Sequence, residues 1–586
     1  MLRKIIPKHS NKFIHSSILK YSSFNNDGNI TIKKCGGGKQ IVSELGQPTY
    51  WTHPHLFHTP NPSEFNKQVT PGITRQEFEQ RRFNYVTNLT NYQMLYFSTK
   101  LSSSEKTKYS SMPLNQWIQN GFDINTIDHN FIAVIPSSMT TYMAPDVPYP
   151  FRQNSDFMYL TGFNEPDSVL VISRTGDDRN SFKTAIFVKE KNPKKELWDG
   201  PCTGPENIKN LCGIEYAYPI SDFKNYLDSL VKESNPNKKI SLWRYPTENV
   251  VKHESGPNVF NEKIESSLEN FIEECKSNRL IDMNEQESVD GSAAASYFNT
   301  SRYFVQICRV VKSKAELNLM KKACDISSEA FINSMKISHP FINESLIYSK
   351  FDFDCKIRGS EYLGYIPVIA GGNRATTLHY IRNNQIIKNG ELVLMDAGCQ
   401  YNEYVSDITR AWPVSGKFSR EQRELYQACL NVQKHCISNC APGISIQKLY
   451  FIMMRKLADE LSQIGIIDRK EYEGYAKQDD LETSPLPFNY MKKLTNFCAH
   501  DVGHYLGLDV HDCPEVSKQN DLEPNTAITI EPGIYIRHDD ESVPARYRGI
   551  GIRIEDDIVI TDNGYQILSD KCPKEIDDLE KLLNSK

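Results

Sequence analysis

Glu391-Leu-Val-Leu-Met-Asp396-Ala-Gly-Cys-Gln-Tyr-Asn-Glu403-Tyr-Val-Ser-Asp407-Ile-Thr-Arg410 is an apolar run that ends in an acid, a Gly-containing turn, and a second run that carries another acid. Asp396 and Asp407 are 11 positions apart, and a hairpin between them would bring both carboxylates to one place. Taken alone, such a pair is also what turn formers and caps at strand ends look like. The sequence beyond it narrows the choice. His500-Asp-Val-Gly-His504-Tyr-Leu-Gly-Leu-Asp-Val-His511-Asp512 gathers three of the chain's 14 histidines. So tight a cluster points to metal or proton-transfer chemistry more than to isolated structural histidines. The HExxH pattern of zinc proteases is absent, because Asp501 stands where its Glu would be.

Two further runs follow. Ala527-Ile-Thr-Ile-Glu531 puts an acid before a Pro-Gly break and Tyr535. In Gly549-Ile-Gly-Ile-Arg553-Ile-Glu555, strand alternation sets Ile550, Ile552 and Ile554 on one face and Arg553 and Glu555 on the other. Four acids at the ends or inward faces of apolar strands would repel one another in a closed site unless cations neutralise them. Two divalent ions balance four carboxylates. A donor set of carboxylate oxygens with one imidazole suits Mn²⁺ better than a structural zinc site. A two-ion centre of this kind activates water and polarises a carbonyl for hydrolysis.

The order Asp396, Asp407, His504, Glu531, Glu555, with His-x-x-x-His-x-x-Gly before the last two acids, resembles the dinuclear "pita-bread" metallopeptidases. Ala370-Gly-Gly-Asn-Arg-Ala-Thr-Thr-Leu-His379-Tyr and Gly507-Leu-Asp-Val-His511-Asp are similar to the aminopeptidase P family among them. So are the stretch from Tyr142 to Gly162 and Trp198-Asp-Gly-Pro in the first half, and Gly46-Gln-Pro with Thr70-Pro-Gly-Ile-Thr is similar to the N-terminal segment of that family's mitochondrial branch. The resemblance implies an α/β (α+β) chain: a pita-bread catalytic domain preceded by a ribonuclease-H-like, creatinase-type N-terminal domain. It implies that Asp396, Asp407, His504, Glu531 and Glu555 hold two ions, with Asp407 and Glu555 touching both. It casts Glu531 as the group taking the attacking water's proton, and His379, His500 and His511 as substrate and proton-handling histidines. Tyr365, in Leu-Gly-Tyr365-Ile-Pro, aligns with a substrate-contacting tyrosine. Tyr535 and Arg553 would support the ligands, Arg553 either meeting substrate or orienting Asp407 or Glu555.

The activity so implied is release of the N-terminal residue from peptides or imported proteins, with Pro preferred second, by attack of a dimetal-bridging hydroxide. A prolidase limited to Xaa-Pro dipeptides, presequence trimming without a Pro requirement, and a non-enzymatic binding protein on the same scaffold are the alternatives. The partner is a peptide or protein N-terminus, and the family resemblance implies a homo-oligomer, a dimer in its simplest form.

The 586 residues predict more than one domain. A periodic apolar stripe over 313–336 marks a long helix opening a second domain near 305. The expected limits are a mitochondrial transit peptide over 1–30, an extended arm over 31–70, the first domain over 71–304, the catalytic domain over 305–572 and a C-terminal tail over 573–586. In the first domain, strand-like runs at 131–135, 169–172 and 184–188 alternate with helical stretches at 74–99 and 221–232. Surface loops are expected at 101–112 and 473–488. Residues 1–26 contain five basic residues, five serines and no acid, the composition of a mitochondrial import leader. With 68 Lys+Arg against 73 Asp+Glu, a nucleic-acid partner is not supported. No run reaches the ~20 apolar residues of a membrane span. The 14 cysteines form no CxxC pair and read as reduced thiols.

Overall fold

The computed structural model describes residues 68–97 except 71, 129–175, 182–234, 239–244, 259–278, 299–470 and 483–585, together with two three-residue strands, Ser22–Phe24 and Ile30–Ile32. The greater part of the expected import leader and of the extended arm, and the 101–112 loop, lie outside the described residues, as does most of the 473–488 loop.

The first domain is a six-stranded mixed sheet built from β1 (His129–Pro136), β2 (Val169–Arg174), β3 (Lys183–Val188), β4 (Tyr216–Pro219), β5 (Lys239–Arg244) and β6 (Asn299–Thr300). Their spatial order is β4-β3-β2-β1-β5-β6, with the β1–β2 and β2–β3 pairs antiparallel and the other three parallel. The strands are apolar on both sides because helices cover both. Ile132, Val134, Val171 and Phe187 pack under the helices Phe223–Glu233 and Val259–Ser277. The alternating residues Phe131, Ala133, Ile135 and Ile172 face the other core, with Phe78, Tyr85 and Leu89 of the helix Arg75–Phe97. That second core continues without a break into the C-terminal half.

The C-terminal half opens with helices α1 (Arg302–Val310) and α2 (Lys314–Ile337). The stripe expected over 313–336 is helix α2: Ser313 and Glu316 form a reciprocal capping box at its start, and Leu319, Met320, Ala323, Ile326, Ala330 and Phe331 are buried. Its inner face lies on the hairpin quoted above. The Ser327 hydroxyl meets that of Ser406 at 2.8 Å and accepts the Cys399 N–H at 3.0 Å.

That hairpin is more elaborate than the expected turn. β9 (Leu392–Ala397) lies between β8 (Val368–Gly371) and β12 (Ile408–Pro413), both antiparallel to it. Beyond it, β10 (Cys399–Tyr401) and β11 (Tyr404–Val405) continue as a second small sheet with β7 (Tyr362–Leu363). The reversal falls at Asn402 and Glu403, with φ of 48° and 70°, rather than at the glycine. Gly398 serves instead as a point of close backbone approach, since a Cβ there would stand 1.6 Å from the Ser406 carbonyl oxygen.

Three strands, β13 (Ala527–Ile530), β16 (Asp556–Thr561) and β17 (Gly564–Ile567), form another sheet, and β14 (Gly533–Ile536) pairs with β15 (Ile550–Arg553). The single strand expected through 550–555 is therefore two. It breaks at Ile554, whose N–H turns to the Pro532 carbonyl, and Glu555 bonds across to Thr409. Residues 573–586, expected as a tail, carry a helix over Ile576–Asn584 that buries Ile576, Leu579 and Leu583 on one face. The buried Arg410 ties its leading segment down through the carbonyls of Cys572 and Pro573. Among the described residues no helix is long and apolar enough to cross a membrane, and the 13 described cysteines are free thiols.

Candidate metal centre

The strand ends place the acids. Asp396 is the penultimate residue of β9, beside Thr409 of β12, and Asp407 immediately precedes β12. Glu531 follows β13, Glu555 lies between β15 and β16, and His504 is held against β13 by the Thr529 N–H on its carbonyl at 2.9 Å. Four separate pairings thus converge on one point. His504 Nε2 stands 3.5 Å from Asp407 Oδ2 and 3.6 Å from Glu531 Oε1. Donor atoms of Asp407, His504 and Glu555 all lie within 4.8 Å of one another. The Tyr365 hydroxyl bonds Asp396 at 2.6 Å and Asp407 at 2.5 Å, which brings the remaining carboxylate into the same group.

The electrostatics ask for positive charge. Glu555 is 1% exposed and its Oε1 has no hydrogen-bond partner. Burial, then repulsion from Asp407, Glu531 and Asp396, pushes its carboxyl well above the usual range. Burial raises Asp396 and Glu531 as well. The His504 imidazole is raised as well: burial would lower it, but Asp407 and Glu531 raise it to about 9. Asp407 falls below the ordinary value because His504 and Tyr365 outweigh its burial. Such a set of oxygen donors around one imidazole nitrogen fits divalent cations, and the unpartnered Glu555 oxygen is the atom such an ion would satisfy. The other His504 nitrogen donates to the Tyr505 carbonyl at 2.9 Å, so Nε2 is the nitrogen turned to the carboxylates, and a cation bound there would displace its proton.

Arg553 meets neither Asp407 nor Glu555 directly. Its Nη2 donates to Asp396 at 2.6 Å and its Nε to the Thr409 hydroxyl at 3.1 Å, while Thr409 in turn donates to Glu555 at 2.6 Å. The break at Ile554 separates the two: Arg553 ends β15, whereas Glu555 pairs with Thr409 of β12. Arg553 Nη1 also donates to the Tyr535 oxygen at 2.7 Å, and Tyr535 reaches His500 Nε2 at 2.8 Å. The Asp501 carbonyl can only accept, so His500 Nδ1 carries the proton and Nε2 accepts from Tyr535. Burial holds the His500 imidazole below its ordinary value, and its ring faces Glu531 at 3.9 Å.

His379 and His511 lie on the exposed side. The His511 ring sits 4.4 Å from that of His504. Its imidazole is lowered by partial burial, then by His504, Lys518 and His379. The segment bearing His379 is fastened by Glu344, a fully buried carboxylate that accepts from the Gly371 N–H, Arg374, the Tyr380 hydroxyl and the Gln385 N–H.

The structure therefore gathers all the candidate residues around one site, with Tyr365 on the acids themselves. Sequence reasoning missed Thr409 and Asp557. The first shares a strand face with Asp407 two residues before it, a spacing that could have revealed it. Asp557 accepts the Asp407 backbone N–H at 3.0 Å across 150 residues, which no local pattern signals.

Residues 318–562 match the family described as metallopeptidase family M24, and 122–240 match the aminopeptidase P N-terminal domain. The chain is 37% identical over 539 residues to Xaa-Pro aminopeptidase 3 of Mus musculus, spanning 92% of this chain and 90% of the relative. To the mitochondrial intermediate cleaving peptidase 55 of Arabidopsis thaliana it is 32% identical over 550 residues, spanning 93% and 89%. Among solved structures, aminopeptidase P from E. coli with the inhibitor Pro-Leu matches with a TM-score of 0.68 at 28% identity, over 87% of this chain and 98% of that one.

Proposed function

The chain belongs to metallopeptidase family M24, in its aminopeptidase P branch, and from that premise we propose that it is a two-metal Xaa-Pro aminopeptidase that releases the N-terminal residue of peptides or imported proteins. Asp396, Asp407, His504, Glu531 and Glu555 would hold the ions, and the oxygen-rich donor set favours Mn²⁺. Ions bound there supply a polarised scissile carbonyl and a nucleophilic water at neutral pH. Glu531 takes the water's proton, and His500, kept neutral and oriented by Tyr535 and Arg553, stands beside it for proton transfer. Tyr365 and Arg553 orient Asp396 and Asp407 in preference to touching the peptide. His379 and His511, on the open side, hold the substrate.

The observation that carries this reading is the convergence of Asp407, Glu531 and Glu555 on the His504 imidazole, with Asp396 joined to them through Tyr365 and a buried Glu555 oxygen left unpartnered. The test is hydrolysis of Xaa-Pro-Xaa tripeptides by the purified chain with Mn²⁺, alongside a count of bound ions. Activity retained in Asp407→Ala or His504→Ala would overturn it. A chain that cut only Xaa-Pro dipeptides would be a prolidase. The basic, acid-free leader and the likeness to a mitochondrial relative support a mitochondrial location and trimming of imported proteins. Comparing mitochondrial protein N-termini with and without the enzyme tests this. We place the first domain at about 71–304 and the catalytic domain from about 305, with the helix Ile576–Asn584 packed onto its core, and expect a dimer by light scattering.

A further inference from the structure

Beside the site lies a buried ionic cluster that joins the two domains. Arg309, in the last turn of α1, is 3% exposed. Its Nη1 pairs with Asp156, in the helix Ser155–Thr161 of the first domain, and its Nη2 with Asp512 and, at 2.8 Å, with Asp509. Asp512 also takes Lys312 Nζ at 3.1 Å. From the first domain, the Ser155 hydroxyl donates to Asp509 at 2.7 Å and Arg152 to the Leu508 carbonyl at 2.9 Å, with its guanidinium 3.3 Å from Asp509. Three carboxylates thus meet three cations. Gly507 is required beneath them, since a Cβ there would stand 2.6 Å from Asp512 Oδ2.

Apart from the Arg309–Asp156 pair, which ties Arg309 to the first domain, these bonds fall on one short loop. It begins at His504, ends at Cys513, and carries His511 immediately before Asp512. The Asp512 N–H returns to the Tyr505 carbonyl at 2.9 Å and the Asp509 N–H to Asp512 Oδ1 at 3.2 Å, so the loop closes on the carboxylate that Arg309 holds. A buried ion group is a poor way to add stability, because apolar side chains of the same volume do so at lower desolvation cost. What directional ion pairs provide is a fixed register. Here that register decides where the exposed His511 ring stands over His504.

We propose that Arg309 is a positioning residue for the reaction: it locks the 505–513 loop, and with it the His511 imidazole, to the first domain, which thereby sets the geometry of the substrate-facing side while contributing no ligand. The proposal rests on reading His511 as a substrate-handling group. A misplacement near 1 Å is enough to cost about 100-fold in rate, so loosening one anchor should be visible in kinetics while leaving ion binding intact.

The experiment is a double-mutant cycle on the full-length, Mn²⁺-loaded chain with an Xaa-Pro tripeptide: wild type, Asp156→Asn, His511→Ala and both together. Asp156→Asn keeps the side chain's shape and removes one charge from Arg309. The expected result is a fall in kcat/KM of about tenfold with the bound-ion count unchanged, shrinking to less than about twofold in the His511→Ala background. Equal losses in both backgrounds, or no loss in the wild-type one, overturn the positioning role and leave His511 its own. Wild-type activity in His511→Ala overturns the reading of His511 and the proposal with it. Should Asp156→Asn fail to fold, Ser155→Ala, which removes only the hydroxyl bond to Asp509, decides the same cycle with the same criteria.

Discussion

Gly398→Ala would add one methyl group between the two strands that carry Asp396 and Asp407. The glycine has no positive φ, so the cost is one of contact alone. The new Cβ would lie 1.6 Å from the Ser406 carbonyl oxygen and 2.6 Å from its carbon, where real Cβ contacts essentially never fall under 3.0 Å. The Ser406 peptide must therefore retreat by about 1.4 Å, and no flexible side chain can give way in its place. Asp407 is the next residue. Its carboxylate is fixed by Tyr365 at 2.5 Å and faces His504 at 3.5 Å. Ligand distances in a metal site tolerate about 0.2 Å, so a displacement several times larger should dislodge the carboxylate. Overpacking should cost about 1–3 kcal/mol of stability, and misplacing a reacting group by an ångström about 100-fold in rate. The assay pairs Mn²⁺ calorimetry with tripeptide hydrolysis, using circular dichroism to verify folding. Gly443→Ala is the control: its φ of 87° imposes strain, but nothing lies within 4 Å of the added carbon, so it should lose stability and keep activity. A folded Gly398→Ala chain binding two ions with wild-type kcat would refute the reasoning.

Glu403 is 8% exposed, and burial followed by the nearby Glu361 raises its carboxyl from 4.5 to about 7. A folded-state pKa above the unfolded one means that this group's contribution is fully present below about pH 4.5 and is lost as pH rises to about 7, at most about 3 kcal/mol. Glu403→Gln should therefore be more stable than wild type above pH 7 and equal to it near pH 4.5 in urea unfolding; a less stable variant at pH 8 contradicts this. Arg553→Met leaves Asp396 without its cation and Tyr535 without its anchor, so kcat/KM should fall more than about 100-fold, and Arg553→Lys, lacking the planar fork, should recover little of it. An Arg553→Met enzyme of near wild-type rate would exclude the orienting role. Chelation should lower the melting temperature, because ions at 1,000 times their Kd stabilise by about 4 kcal/mol. An EDTA-treated chain melting where the Mn²⁺-loaded one does would count against ions at these carboxylates.

Helix α2 and the first-domain strands were legible because apolar periodicity is a local property that burial on one face or both imposes directly. The candidate donors were legible for a related reason: an acid beside an apolar strand, or a histidine triplet, is conspicuous where such residues are otherwise costly to bury. The details of the turns were not. The reversal at Asn402–Glu403 puts two non-glycine residues in the left-handed region they seldom adopt, and the break at Ile554 and the helix in the final residues each depend on what a distant segment offers there.

By itself, then, the sequence determined which acids and histidines are the candidate donors and the order in which the chain delivers them, since both are properties of spacing and residue type. Only the tertiary structure decided the partners: Arg553 on Asp396 across 157 residues, Asp557 under the Asp407 N–H, and Arg309 between Asp156 and Asp512. A buried charge must find an opposite charge wherever the fold provides one, and which of the many acids that is depends on strand register and loop path, quantities set by packing across the whole molecule.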